Sequence, residues 1–79
     1  MILKIFADFN NADIKGRVRL NTYGTMESIK KNGIFFKKGL EILLSDDDSL
    51  EAFGIVEFSE EEKIWVAKID WDLIKPTTT

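Results

Sequence analysis

Apolar and polar side chains alternate over the first twenty residues and again over much of the second half, the two-residue period of half-buried strands. Ile2 to Phe9 reads ILKIFADF, with Leu3, Ile5, Ala7 and Phe9 on one face and Ile2, Lys4, Phe6 and Asp8 on the other, and is predicted as the first strand. Asn10 to Gly16 gathers residues that tolerate left-handed backbone or bond their own chain, which predicts a hairpin loop. Arg17 to Asn21 alternates strictly. It is expected to turn Val18 and Leu20 inward and Arg17 and Arg19 to a solvent-facing surface.

The period then lengthens. Gly24 to Gly33 is bracketed like a short helix: Thr25 is placed to cap it, Glu27 suits its first turn, Lys30 and Lys31 its last, and Gly33 a left-handed stop. Met26 and Ile29 would form its apolar edge. Ile34 to Gly39 reads as an irregular apolar segment closing on a Lys37-Lys38-Gly39 turn, with Gly39 at positive φ. Leu40 to Ser45 is predicted as the third strand, ended by Asp46-Asp47-Asp48-Ser49. Glu51 to Ser59 is the fourth, with a bulge expected at Gly54. Glu60 to Glu62 form a turn, and Lys63 to Trp71 the fifth strand.

The resulting order is β-β-α-β-β-β, a mainly β chain. Five short, bent strands with one short helix predict a small, partly closed five-stranded barrel or a rolled sheet. Periodicity leaves an alternative open, an α+β sheet with the helix over one face. Residues 1–74 are expected to form a single domain and 75–79, with Pro76 and three Thr, a frayed tail.

Composition sharpens the picture. A chain of 79 residues has room for one core only, and a domain of this size buries ~60 to 65% of its unfolded surface, so its core must pack efficiently. Hydrophobic residues at 44%, six Phe and two Trp among them, are enough for such a core, and no cysteine is present to staple it. The apolar start is broken by Lys4 and Asp8 and lacks a small-residue cleavage site, so no secretory signal is expected. Without a membrane-length apolar run either, the expectation is a cytoplasmic protein, in a bacterial setting.

Charge is distributed unevenly. Residues 1–40 hold eight Lys/Arg and three Asp/Glu, and residues 41–79 hold three and eleven, so +5 is followed by −8 and the sum is −3. The basic half offers candidate contacts. Arg17 and Arg19, two apart on one strand face, project together toward adjacent phosphates or a carboxylate surface, with Lys15 and Lys4 extending the patch. The same spacing also serves a solvated face whose charges keep a strand edge from pairing with other chains. Lys30, Lys31, Lys37 and Lys38 could join that surface, or complement the helix dipole and solvate a turn.

Trp65 and Trp71 share strand parity with Ala67 and Ile69, while Ile64 and Val66 lie on the other face. Apolar residues on both faces predict a central strand, or one whose outer face meets a partner. The two tryptophans are either large core residues or anchors for a protein or peptide.

Little in the chain points to catalysis. Histidine and cysteine are absent, which removes the usual proton shuttle, nucleophile and transition-metal ligands. Asp46, Asp47 and Asp48 lack the alternating ligands, central Gly and distal Glu of a calcium loop, so no metal or other cofactor is expected. Asp8, Asn10, Asn11, Asp13 and Asp70 would gather at one end of the sheet if the first and last strands paired, either to bind a polar ligand or to satisfy turn backbone.

Two resemblances follow from these segments. The runs DFNNADIKGRVRLNT, GLEILLSDDD and WVAKIDW resemble a group of small bacterial proteins without an assigned function, a similarity that implies no site residues. Asp13 to Asp48, with a loop Asp, Gly16-Arg17-Val18, a short helix, Gly39 and an alternating strand, is similar in order to AbrB-like swapped-hairpin regulators and antitoxins. That resemblance implies a dimer binding DNA through Arg17 and Arg19. Asn21 and Thr22 stand where that family usually has a Pro, and the acidic second half opposes DNA. The expectation is therefore a non-catalytic module binding another protein through an asymmetrically charged surface, with Arg17, Arg19, Lys15, Trp65 and Trp71 as contact residues. A nucleic-acid-binding regulator using the basic half is the alternative.

Overall fold

Strand β4 (Leu50–Ser59) is the axis around which the other strands are arranged. The computed structural model describes residues 3–46 and 50–76, with side chains through Ile74. Along the chain it contains β1 (Leu3–Phe6), β2 (Val18–Arg19), α1 (Tyr23–Asn32), β3 (Glu41–Ser45), β4, β5 (Ile64–Ile69), a 3₁₀ helix (Trp71–Leu73) and β6 (Lys75–Pro76). The protein is mainly β. Its mixed sheet has the order β1-β3-β4-β5-β2, with β6 paired to β4; β1 runs parallel to β3, and the other pairs are antiparallel.

Register explains which residues form the core. Val18, Ala67 and Val56 lie side by side on three adjacent strands and are fully buried. Ile5 lies beside Leu44, and Leu44 beside Ala52, in a second buried row. Phe9, Leu20 and Ile34 complete this core from the loops, with Ile29 of α1, Phe36, Trp65 and Ile74 packed against it. From Ile5 onward the alternation survives in burial beyond the ladder: Ile5, Ala7 and Phe9 are all buried, although β1 ends at Phe6, whereas Leu3, expected on the same face, is exposed at the start of the strand.

The sheet does not close. Its end strands, β1 and β2, are not paired with each other. The chain leaving β1 instead continues to a bridge between Ala12 and Val18, so one bent segment touches both ends of the sheet and rolls it around the core. Helix α1 packs on β1, where the Ser28 hydroxyl accepts the Phe6 N–H at 3.1 Å. The free edge of β1 is thus partly capped. Among the described residues, no helix is long and apolar enough to cross a membrane.

Several local expectations need correction. The helix begins earlier than predicted: Thr22, extended at φ −71° and ψ 158°, is the N-cap, and its hydroxyl accepts the Thr25 N–H at 3.3 Å. Thr25 is itself fully buried, with its hydroxyl 2.8 Å from that of Thr22, whereas Met26 is exposed. At the other end Gly33 takes the left-handed stop, and Gly39 turns at φ 90° as predicted.

Gly54 makes no bulge, since it pairs one-to-one with Ile42 of β3 and with Ile69 at the end of β5. It is a point of close approach instead. A methyl added there would lie 3.1 Å from Ile69 Cγ2 and 3.3 Å from Ala67 Cβ.

Strand β5 stops at Ile69, and the 3₁₀ turn intervenes before β6 resumes along β4. Gly54 pairs with Ile69 and Glu51 with Lys75, so Ala52 and Phe53 face the five residues 70–74. Three extra residues must leave the sheet there, and Trp71–Leu73 do so. Trp71 therefore lies outside the strand, off the parity expected for it. Of the tail expected at 75–79, Lys75 and Pro76 pair with β4. Ile2, Asp47, Asp48, Ser49 and Thr77–Thr79, all included in those expectations, lie outside the described residues.

Candidate functional site

The hairpin before β2 is organised by one carboxylate. Asp13 Oδ1 accepts the backbone N–H groups of Lys15 at 3.0 Å and Arg17 at 2.8 Å, while Oδ2 accepts Arg17 Nε at 2.9 Å. Such a bond to the chain's own turn is the reason aspartate is favoured there. The same guanidinium continues outward: Arg17 Nη1 donates to Glu57 Oε1 at 3.0 Å, and Nη2 lies 3.9 Å from Glu61 Oε1. Glu61 also pairs with Lys15 Nζ at 2.8 Å.

Arg19 forms a second cluster. Its Nε and Nη2 grip both oxygens of Glu62 at 2.8 Å each, and its Nη1 donates to Asn11 Oδ1 and Ala12 O at 3.0 and 2.9 Å. A planar fork matched to a carboxylate in this way is held in one geometry.

These contacts revise the picture of a free basic surface. The Arg17 side chain retains only 12% exposure, and each of Lys15, Arg17 and Arg19 faces carboxylates from the acidic half. The physical reason is the position of β5. Arg19 lies beside Val66 and Val66 beside Glu57, so β2 and the residue before it present Arg19 and Arg17 to the β4 strand and to the Glu60–Lys63 turn across β5. Beneath this layer Val66 is fully buried yet stands apart from the inner core cluster.

The ionisation of the pairs follows their contacts. For Asp13, burial pushes the carboxyl up, but hydrogen bonds and charge from Arg17, with the Lys15 N–H, outweigh it and hold the pKa below the ordinary value. The Lys15 hydrogen bond lowers Glu61, and the Arg19 hydrogen bond lowers Glu62. The bond to Glu57 raises Arg17, and the bond to Glu62 raises Arg19.

The two tryptophans have different roles. Trp65 is partly buried, with ring centroids 5.2 Å from Phe58 and 6.2 Å from Phe36. Trp71 is 43% exposed; its Nε1 donates to Gly16 O at 2.7 Å, and its ring meets Phe9 edge-on at 6.5 Å. It ties the C-terminal turn to the hairpin that carries Arg17.

Trp71 also borders an open apolar groove on the outer face of the sheet. Phe53, at 55% exposure, and Ile55, at 47%, supply its exposed β4 side chains, with Ile69 alongside and Glu41, Lys68, Asp70 and Asp72 around them. Phe53 and Ile55 were not singled out from the sequence. The signal was present: Ala52 to Val56 is uninterruptedly apolar, so the outward positions of β4 carry no polar side chain there.

The remaining candidates are dispersed. β1 pairs with β3 rather than with β5, so the expected gathering of Asp8, Asn10, Asn11, Asp13 and Asp70 by strand pairing does not occur. Asp8 and Asp70 each accept a backbone N–H two residues on, at 2.9 and 3.0 Å. Among the described residues, no three His, Cys, Asp or Glu side chains are grouped to hold a metal ion. Lys4, Lys30, Lys31, Lys37 and Lys38 make no ion pair with a described residue. No protein-family model, characterised protein or solved structure matches this chain.

Proposed function

We propose that the protein is a non-catalytic interaction module that binds another protein through the outer-face groove around Phe53, Ile55 and Trp71. The observation that carries this reading is the exposure of two large apolar side chains on a central strand, beside a half-exposed tryptophan. Aromatic and aliphatic anchors of this kind supply most of the energy of protein recognition. Lys15, Arg17 and Arg19, by contrast, already have carboxylate partners and offer an incoming ligand little unsatisfied charge. The cytoplasm suits a chain without cysteine.

The test is Ile55→Lys, which puts a charge in the groove without disturbing the buried face of β4. Circular dichroism should show an unchanged fold, and a partner captured by the natural chain in a pull-down should be lost. Retention of that partner would remove the groove from the reading.

A nucleic-acid-binding module is the rival. One observation favours it: Phe35 is 89% exposed in the segment that also carries Lys37 and Lys38. Exposed aromatic and basic side chains together suit a single strand. Such binding would weaken steeply with salt, by a logarithmic slope of about −0.7 per phosphate contacted.

A further inference from the structure

We infer that the groove's occupant is a second copy of this chain, and that two copies exchange their Phe35–Lys38 segments reciprocally to form a two-fold dimer. This rests on the reading of the groove as a contact surface and names what fills it.

The two surfaces are complementary in chemistry. The groove has an apolar floor in Phe53 and Ile55 and a rim of Glu41, Asp70 and Asp72, three carboxylates against one ammonium, Lys68, among the described residues. Neither Glu41 nor Asp72 has an ion pair among the described residues. An occupant should therefore present an apolar side chain with cations next to it. The chain itself carries such a segment: Phe35 is the most exposed aromatic side chain, and Lys37 and Lys38 are exposed and free of ion pairs with described residues. Ile34 before it is buried, and Gly39 N–H is fixed to Val56 O at 2.8 Å behind it, so both ends of the segment are anchored. Little ordering entropy remains to oppose docking.

Connectivity favours closure. Glu41 on the groove's rim comes three residues after Lys38, so the projecting segment and the groove are neighbours on one molecule. When each copy gives and receives across one two-fold axis the contact closes as a pair, whereas a one-way contact would run on into a ring or filament. Two such contacts per dimer double the buried area.

The test uses the full chain and two charge-reversed variants, Lys37→Glu with Lys38→Glu, and Glu41→Lys with Asp72→Lys. Sedimentation equilibrium from micromolar to millimolar protein should show a monomer–dimer equilibrium for the natural chain, weaker at high salt. Each variant alone opposes like charges, and its dimer dissociation constant should rise by about tenfold or more. Mixing the two variants restores opposite charges at both contacts and should recover dimerisation, which general destabilisation would not do. Phe35→Ser should weaken the dimer without changing the fold. The inference is overturned if the natural chain stays monomeric throughout, if a dimer forms that is indifferent to Phe35→Ser and to both charge variants, or if Phe35 is instead required for binding a single-stranded oligonucleotide by a monomer. A monomer whose protein partner is lost on Ile55→Lys would sink the dimer while leaving the broader reading of the groove intact.

Discussion

Arg17 and Glu57 are joined across a strand to which neither belongs: the guanidinium precedes β2, the carboxylate sits on β4, and the 3.0 Å contact between them passes over β5. The pair therefore ties three strands. With Asp13 on its other side, the Arg17 guanidinium has two carboxylates within hydrogen-bonding distance, and the hairpin, the β4 strand and the buried outer face of Val66 share one arrangement. Residues sharing a network couple when substituted. Arg17→Met and Glu57→Gln should each lower the melting temperature. The double variant should fall no further than Arg17→Met alone, because the arginine's removal already abolishes what Glu57 contributes. Thermal unfolding of the four proteins checks this, and additive losses would show that the pair acts as two independent surface charges.

Acid should loosen the same region. Asp13, Glu61 and Glu62 all have folded pKa values below their ordinary ones, 3.8 for Asp and 4.5 for Glu, so each binds its proton more readily in the unfolded chain. Their stabilisation is fully present above those ordinary values and disappears as pH falls through the lowered ones. Stability should thus be insensitive to these groups near neutrality and decline on acidification below about 4.5. Glu61→Gln with Glu62→Gln should flatten that decline in a denaturant titration repeated across pH. The raised pKa values of Arg17 and Arg19 act oppositely: their contribution is present below the ordinary arginine value and is lost only above it.

Much of the β framework was legible because alternation reports which side chains face inward. Val18 and Leu20, Ile42 and Leu44, and Ile5, Ala7 and Phe9 are all buried as their parity requires. Parity failed where the opposite face was also occupied. Arg17 looked solvent-facing because its sequence neighbours cannot reveal Glu57, forty residues away, and the +5 and −8 halves pair with one another in the fold. Trp71 kept the parity of β5 on paper, but the register against β4 forces three residues out of the sheet. The groove residues Phe53 and Ile55 were visible as a break in alternation, a weaker signal than charge and easily taken for core.

The link from Trp71 to Gly16 predicts a small but specific cost. Trp71→Phe keeps the ring against Phe9 and removes the Nε1 donor, which should destabilise the fold by about 0.5 to 1.5 kcal/mol. For a domain of this size that is a loss of roughly 2 to 12 °C in melting temperature. Gly16→Ala should cost at least as much. Its φ of 79° is unfavourable for a residue with a side chain, and the added methyl would lie 3.3 Å from Trp71 Nε1. Thermal melts of both variants check the pair of effects; an unchanged melt for Trp71→Phe would mean that water replaces the lost donor without penalty.

Gly54 gives the sharpest contrast between local propensity and packing. Its φ lies outside the left-handed region, so alanine is conformationally acceptable and would raise strand propensity. Space decides the other way. The new methyl would meet Ile69 Cγ2 at 3.1 Å, Ala67 Cβ at 3.3 Å and Leu44 Cδ1 at 3.4 Å, with one of the three contacts fixed directly to the β5 backbone. Ala67 cannot rotate away, so the strands themselves must separate, and overpacking of this kind costs about 1 to 3 kcal/mol. Gly54→Ala should therefore lower the urea midpoint, and pairing it with Ala67→Gly should recover part of the loss by reopening room for the methyl. A midpoint raised by Gly54→Ala would mean that the sheet relaxes freely at this crossing, and that strand propensity outweighs close packing there.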